Sequence, residues 1–380
     1  MQLPSLPPSV YSAGFTALVI SFLLILTKPW HGRFSMDELV GIQKMHVYDT
    51  PRIGGVAIVL GVLVGYLVAV PERQFILGNL LLAGIPAFVF GLAEDLTKKV
   101  SVLSRLLATM ASGVFGWLLT GVAITSVDLP GVDHLMGYTL VSVAFTAFAV
   151  GGVANAVNIV DGFNGLAGGF VCIALIGVAL LALSAGDINL ALASLCIAAA
   201  FMGFWLVNWP WGKLFLGDGG SYFGGFSLAW ACVLLIERNP TINAFATLLL
   251  CIHPVTEVLF SIYRRRLHGS HPGKPDRLHL HSLLMRRVVS PRLNRLYPHD
   301  PQFARSLRNP ATGLLFCLMS IPAVAAAWWG KNSPLLAAAL CLLFILGYVL
   351  IYLRLVRHFW CLPVAFLWMK TSRVTYFENK

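Results

Sequence analysis

Charge is what this chain of 380 residues has least of: Asp, Glu, Lys and Arg make up 11% of it, against about 25% in an ordinary soluble domain. Only 16 residues are acidic. No charge interrupts Tyr11–Thr27, Asn79–Gly91, Gly168–Ala185 or Leu335–Leu353, and a helix needs about 20 apolar residues to cross a bilayer. A soluble globular fold is therefore excluded. The apolar runs do not alternate with polar residues, which excludes the strands of an outer-membrane barrel. Spanning backbone must satisfy its own hydrogen bonds, so the spans are expected to be helices.

Other absences narrow the function. No Lys or Arg precedes Lys28, so the first span lacks the basic leader of a cleaved signal peptide. The seven cysteines, Cys172 to Cys361, lie scattered in apolar stretches with no C-x-x-C pair; they read as small buried hydrophobes. There is no Cys/His zinc spacing, no Walker A loop, no spaced G-x-G-x-x-G and no nucleic-acid module. No internal repeat is visible.

What is present predicts an all-α polytopic integral membrane protein of about eleven transmembrane helices, roughly 9–29, 54–71, 75–92, 104–125, 138–158, 165–184, 188–208, 221–237, 243–263, 311–330 and 334–354. With the N-terminus outside and the C-terminus cytoplasmic, the inward segments hold 24 of the 27 Lys and Arg; only Arg73, Arg238 and Lys331 fall outside. That is the positive-inside bias, and it accounts for a net charge of +11 without a nucleic-acid partner. The chain reads as one transmembrane domain, 1–380, with a long basic cytoplasmic loop at 264–310 and a tail at 357–380. The tail carries an apolar run, Phe359–Met369, too short to span and expected to lie at the inner surface.

The acids are expected to gather on one face. Glu94 and Asp95 end the third span, Asp161 ends the fifth, and Asp218 lies between the seventh and eighth. All are cytoplasmic on a topology drawn from Lys and Arg alone. A carboxylate at a membrane is costly unless paired or metal-bound, which marks functional candidates; the bland alternative is punctuation of helix ends. Oxygen-rich sites of this kind suit Mg2+, which bridges carboxylates and substrate phosphates. Asn155, Asn158 and Asp161 recur every three residues and form a polar stripe on one helix side, unless the asparagines serve helix packing. Gly217-Asp218-Gly219-Gly220-Ser221 opens the eighth span, and a helix N-terminus favours phosphate, though such a run is also an ordinary turn. Lys44, His46 and Arg52 in the first inward loop, and Arg264–Arg266, Arg277, His279 and His281 in the long loop, suit phosphate recognition or simply lipid headgroups. His253 and Glu257, four apart in the ninth span, read as a structural pair.

In order and spacing, KMHVYDTPRIGG, GLAEDLTKK, NAVNIVDGFNGLAGG, FLGDGGS, HPVTE and PDRLHLHSLL resemble the polyprenyl-phosphate N-acetylhexosamine-1-phosphate transferases, over nearly the whole chain. The resemblance is to the bacterial branch that uses UDP-N-acetylhexosamines. It implies a Mg2+-dependent phosphotransferase (with Mn2+ as the alternative ion) of the inner membrane, its active site on the cytoplasmic face. A UDP-N-acetyl sugar gives its sugar 1-phosphate to undecaprenyl phosphate, UMP leaves, and a lipid-linked surface glycan such as O-antigen begins. The expected partners are these two substrates and membrane lipids, with a homodimer allowed.

By the resemblance, Asp218 holds the metal with Asn158 as second ligand. Glu94, Asp95 and Asp161 are the catalytic acids. Lys44, His46, Asn155, Arg265, Arg277, His279 and His281 bind substrate. Three departures stand out: Glu94 takes a place that is usually Asp, Ser282 takes the place of a third loop His, and the first loop lacks the fuller Asp-Pro-Asn-Arg prelude. The expected chemistry is direct attack in a ternary complex, with a covalent aspartyl intermediate as the rival. From a different class, a secondary transporter of an anionic solute is the alternative, disfavoured because transporters place their sites near the midplane in repeats.

Overall fold

The structure, a computed structural model, describes residues 6–37, 50–267 and 278–357. In chain order the helices are α1 (Pro8–Leu26), α2 (Lys28–Ser35), α3 (Gly54–Val68), α4 (Pro71–Ala83), α5 (Ile85–Thr97), α6 (Val102–Thr120), α7 (Pro130–Met136), α8 (Thr139–Val160), α9 (Leu166–Ser184), α10 (Ile188–Asn208), α11 (Gly217–Arg238) and α12 (Ala244–Leu267). Then follow α13 (Leu280–Leu284), a π-helical turn (Met285–Val289), α14 (Ser290–Leu296), α15 (Pro301–Leu318), α16 (Ser320–Gly330) and α17 (Pro334–Arg357). Two residue pairs, β1 (Met36–Asp37) and β2 (Thr50–Pro51), form an antiparallel ladder.

The protein is an all-α multi-pass membrane protein, and each of the eleven apolar segments is helical. Among the described residues nine helices are long and apolar enough to cross a membrane, α15 and α16 (Pro301–Gly330) counting together as one; α4 and α5 make a tenth span if their 46° bend is counted within one passage. The remaining segment, α3, has 15 residues, a rise of about 22 Å. Where described, the long loop is folded rather than extended. Asp300 caps α15 by accepting the Phe303 N–H at 2.9 Å, so that helix starts ten residues before the expected tenth span.

At the centre stands α11, almost wholly buried and packed by α8, α5, α9 and α3. Close approach to it needs small residues, as is usual between membrane helices. A Cβ on Gly91 of α5 would lie 2.6 Å from the Asp218 carbonyl oxygen. All six described cysteines are buried and unbonded to one another.

The acids do not collect at one end. Asp128, Asp133, Asp187 and Glu237 lie at the opposite end from Asp218, where free backbone N–H groups attract them: Asp128 accepts from Ala244 N–H at 2.6 Å and Glu237 from Thr125 N–H at 2.7 Å. Asp187 caps α10 through Leu190 N–H at 3.1 Å and takes two hydrogen bonds from Arg238, at 2.6 and 2.9 Å. Glu257 lies within α12 itself.

Burial pushes the Asp187 carboxyl up, but the Arg238 hydrogen bond, the Leu190 N–H and the Arg238 charge outweigh it and hold the group below its usual range. Unfolded, it ionises at about 3.9. Its contribution is therefore full above about pH 4 and fades as pH falls through the lower folded value. Because Arg238 is partly exposed, the gain is modest, about 1 kcal/mol or less. Asp187→Asn is expected to lower the thermal midpoint in detergent at pH 7, with the difference from wild type closing below pH 4.

Candidate active site

Three sequence motifs, far apart in the chain, are joined by backbone. Phe215 N–H donates to Pro51 O at 2.8 Å, and Gly54 and Gly55 N–H donate to Phe215 O and Leu216 O at 2.9 and 3.0 Å. The free N–H groups that open α3 are thus satisfied by the strand leading into α11. Gly217 then turns with φ +75°, and a Cβ there would collide with Arg52 O and Asp95 Oδ2. Only glycine fits both the dihedral and the space.

Asp95 ends up beneath this turn with no solvent exposure. Its Oδ1 accepts Asp218 N–H and its Oδ2 accepts Gly219 N–H, each at 2.9 Å. A carboxylate at the positive end of a buried helix satisfies two orphan donors and the helix dipole together. Asp95 is thereby the cap of α11, with both oxygens engaged by backbone N–H groups.

Asp218 sits in the first turn of α11, nearly buried. Asn158 Nδ2 donates to its Oδ1 at 3.0 Å and to Ser221 Oγ at 2.9 Å. Arg52 Nη2 reaches the same Oδ1 at 3.2 Å and lies 3.6 Å from Asp95 Oδ1. Arg105 Nη1 pairs with Oδ2. Asp218 is therefore held by groups from the approach to α3, from α6 and from α8.

Asp161 follows α8 and is partly buried. Among the described residues no side chain hydrogen-bonds its carboxylate. Its loop is fixed by backbone instead: Gly165 N–H donates to Asn208 Oδ1 at 2.6 Å and Asn164 N–H to Asn309 Oδ1 at 2.7 Å. Glu94 accepts the Val100 N–H at 2.8 Å and so ties the α5–α6 turn.

Asn155 leaves the stripe. Its amide donates to Thr109 Oγ1 and Gly151 O, both at 2.8 Å, which is cross-helix packing against α6. In the long loop His279 Nδ1 meets Glu257 Oε1 at 2.8 Å, and Glu257 also accepts from Leu280 N–H at 3.2 and 3.3 Å. Glu257 therefore caps α13 and does not pair with His253, which lies between the rings of Phe170 and Phe316. His281 stacks on His279 at 5.2 Å and meets the Phe163 ring edge-on at 5.5 Å. Its Nε2 is 3.5 Å from the place of a Cβ on Gly162, which brings the long loop to the Asp161 turn. Arg265 is half-buried in the last turn of α12, while its neighbour Arg264 is buried and donates to Leu278 O and Tyr352 Oη at 2.8 Å. Lys44, His46 and Arg277 lie outside the described residues, as does the tail after Arg357.

Arg105 was not among the sequence candidates. Its signal was there: it lies inside the expected fourth span, where a charge is expensive unless something anionic meets it.

Among the described residues no three His, Cys, Asp or Glu side chains form a metal-holding group. The donors at hand are nonetheless hard oxygens: Asp218, the unbonded carboxylate of Asp161 and the Asn158 amide oxygen. One or two carboxylates completed by phosphate and water is the usual protein share of a Mg2+ site, so the set fits that ion.

Residues 77–236, from α4 to α11, match the family described as glycosyl transferase family 4. A decaprenyl-phosphate N-acetylglucosaminephosphotransferase of Mycobacterium leprae is 30% identical over 317 residues, covering 73% of this chain and 78% of that protein. The chain belongs to this family of polyprenyl-phosphate sugar-1-phosphate transferases. A probable undecaprenyl-phosphate N-acetylglucosaminyl 1-phosphate transferase of Bacillus subtilis is 29% identical over 257 residues, 66% of this chain and 70% of that protein. An undecaprenyl-phosphate alpha-N-acetylglucosaminyl 1-phosphate transferase of Escherichia coli K12 is 26% identical over 283 residues, 72% of this chain and 74% of that protein. The family match takes in Glu94, Asp95, Arg105, Asn158, Asp161 and Asp218; Arg52 precedes it and His281 follows it.

Two Asp→Asn changes in this family member test the two roles through stability. Asp95→Asn leaves one buried N–H of α11 unmet and should cost about 1–3 kcal/mol, read as a lower thermal midpoint. At Asp161, burial pushes the carboxyl up to about 7, Arg52 opposes this, and Asp218 and Asp95 add to it. A carboxyl raised on folding costs stability as pH rises from its unfolded value of about 4 through the folded one. Asp161→Asn is expected to raise the thermal midpoint at pH 8, the gain shrinking from pH 7 downward and vanishing near pH 4.

Proposed function

We propose that the protein transfers N-acetylhexosamine 1-phosphate from a UDP-N-acetyl sugar to undecaprenyl phosphate, with release of UMP, and so starts a lipid-linked surface glycan such as O-antigen. The reaction is placed at the cytoplasmic face of the inner membrane and takes Mg2+. The observation that carries the reading is the Asp218 cluster at the start of α11. There, two guanidiniums and a helix N-terminus stand beside carboxylates at one end of the membrane helices. The printed activities of the relatives, which act with N-acetylglucosamine on undecaprenyl or decaprenyl phosphate, support the same reaction.

Both reactants are anions, so the site's task is positioning and charge neutralisation. An oxygen of the lipid phosphate attacks the β-phosphorus of the UDP-sugar. The new P–O bond forms as the bond to the bridging oxygen breaks, and that electron pair leaves on UMP. Asp218, with Asn158, would hold Mg2+, which when bound supplies Lewis-acid stabilisation of the leaving phosphate. Arg52 and Arg105 offer forked donors to the diphosphate oxygens. Asp161, the acid with unbonded oxygens, can take a proton from the lipid phosphate. Asp95 spends both oxygens on backbone N–H groups, which supports direct attack over a covalent intermediate on that residue. His281, against the Asp161 turn, places the long loop over the nucleotide.

Incubating the purified protein with undecaprenyl phosphate, Mg2+ and a panel of UDP-sugars should release UMP with at least one N-acetylhexosamine donor. Asp218→Ala should lower the rate by about 100-fold or more, as loss of a main charge-stabilising group does. No UMP from any sugar, or full activity in Asp218→Ala, defeats the reading.

A further inference from the structure

Both oxygens of Asp218 are occupied by the protein's own donors. Oδ1 receives Arg52 and Asn158, and Oδ2 receives Arg105. A carboxylate cannot offer the same lone pairs to two guanidiniums and to a divalent cation. Asp95, whose oxygens are committed to Asp218 N–H and Gly219 N–H, holds Arg52 only at 3.6 Å. Arg105 is only partly used: its Nε is enclosed without any hydrogen-bond partner, although a guanidinium carries five donors in a fork that matches phosphate.

Arg238 and Asp187 at the opposite end show the contrast. There the guanidinium donates through Nε and Nη2 to both oxygens of one carboxylate, a side-on pairing. At Asp218 the two arginines each give a single nitrogen, and an unbonded carboxylate, Asp161, lies beside them.

We infer that Arg52 and Arg105 are exchangeable counter-ions, which hold Asp218 through its carboxylate and pass to the nucleotide's diphosphate when a divalent cation takes that carboxylate. The inference rests on the reading of Asp218 as the metal-holding residue of a UDP-sugar transferase. It goes further by making metal and nucleotide binding one event. A cation alone meets two guanidinium charges already drawn to Asp218. A nucleotide alone must draw the arginines off Asp218 and leave that carboxylate bare. Together each supplies what the other removes. Coupling of this kind is reciprocal, so the nucleotide tightens the metal by the factor by which the metal tightens the nucleotide. Arg105, in this role, competes with the cation and also grips the phosphate.

The test is direct binding on the full-length protein in nanodiscs, with Mn2+ followed by electron paramagnetic resonance and UDP as the non-reacting diphosphate, corrected for metal held by UDP in solution. In wild type, UDP should tighten Mn2+ by on the order of tenfold, within the usual range for coupled sites. In Arg105→Gln, Mn2+ should bind more tightly than in wild type without UDP, UDP should bind more weakly, and the coupling should fall toward one. Arg52→Gln should change binding in the same directions, and it stands in if Arg105→Gln does not fold. Equal Mn2+ affinity in wild type and a folded arginine variant overturns the exchange. So does weaker UDP binding with unchanged Mn2+ affinity, or no Mn2+ binding with or without UDP. UMP release by wild type, measured on the same preparation, reports separately on the transferase reading. Turnover with equal Mn2+ affinities removes the exchange and leaves that reading standing.

Discussion

A helix that begins inside protein, at the edge of a bilayer, has N–H groups that water does not reach, and the structure depends on how α11 meets that constraint. Asp95 accepts two of them. Because the cap comes from α5, the two helices must pack tightly, which is why Gly91 faces the Asp218 carbonyl. Because the chain must turn sharply above Asp95, position 217 is a glycine with positive φ. Because that turn hydrogen-bonds to Pro51–Gly55, Arg52 arrives over Asp218. The arrangement around Asp218 follows from satisfying one helix end.

The same constraint governs the rest of the molecule. At the far end, Asp128, Asp187 and Glu237 serve helix and loop N–H groups, and Glu257 does so for α13. Most acids here are caps. What separates Asp161 is that, among the described residues, nothing hydrogen-bonds its carboxylate, while burial pushes that carboxyl up, a pattern typical of functional sites.

The membrane architecture was legible because charge is so scarce: each long apolar run became a helix. The grouping of Asp95, Asn158 and Asp218 was legible from motif spacing. Less legible was the division of labour within it. Asp95 and Asp218 look alike as letters, and only the path of the backbone shows that one supports the other. Asn155 and Asn158 are one turn apart, yet Thr109 on a neighbouring helix claims the first. Arg105 was hidden among residues counted for topology. The partner of Glu257 was misread because local spacing suggested His253, while a residue 22 positions away took the bond. Such pairings depend on tertiary contacts that a sequence period does not encode.

The cap on α11 also has a consequence for biosynthesis. Ribosomes deliver α5 and α6 well before α11, with the short α7 and three long helices, α8 to α10, between them. Until α11 inserts, Asp95 has no N–H groups to receive and Arg105 has no Asp218. The early hairpin therefore carries a buried carboxylate and a buried guanidinium whose proper partners have not yet been made. Nascent chains that stop short of residue 217 are left with these two charges without the partners that the finished chain gives them.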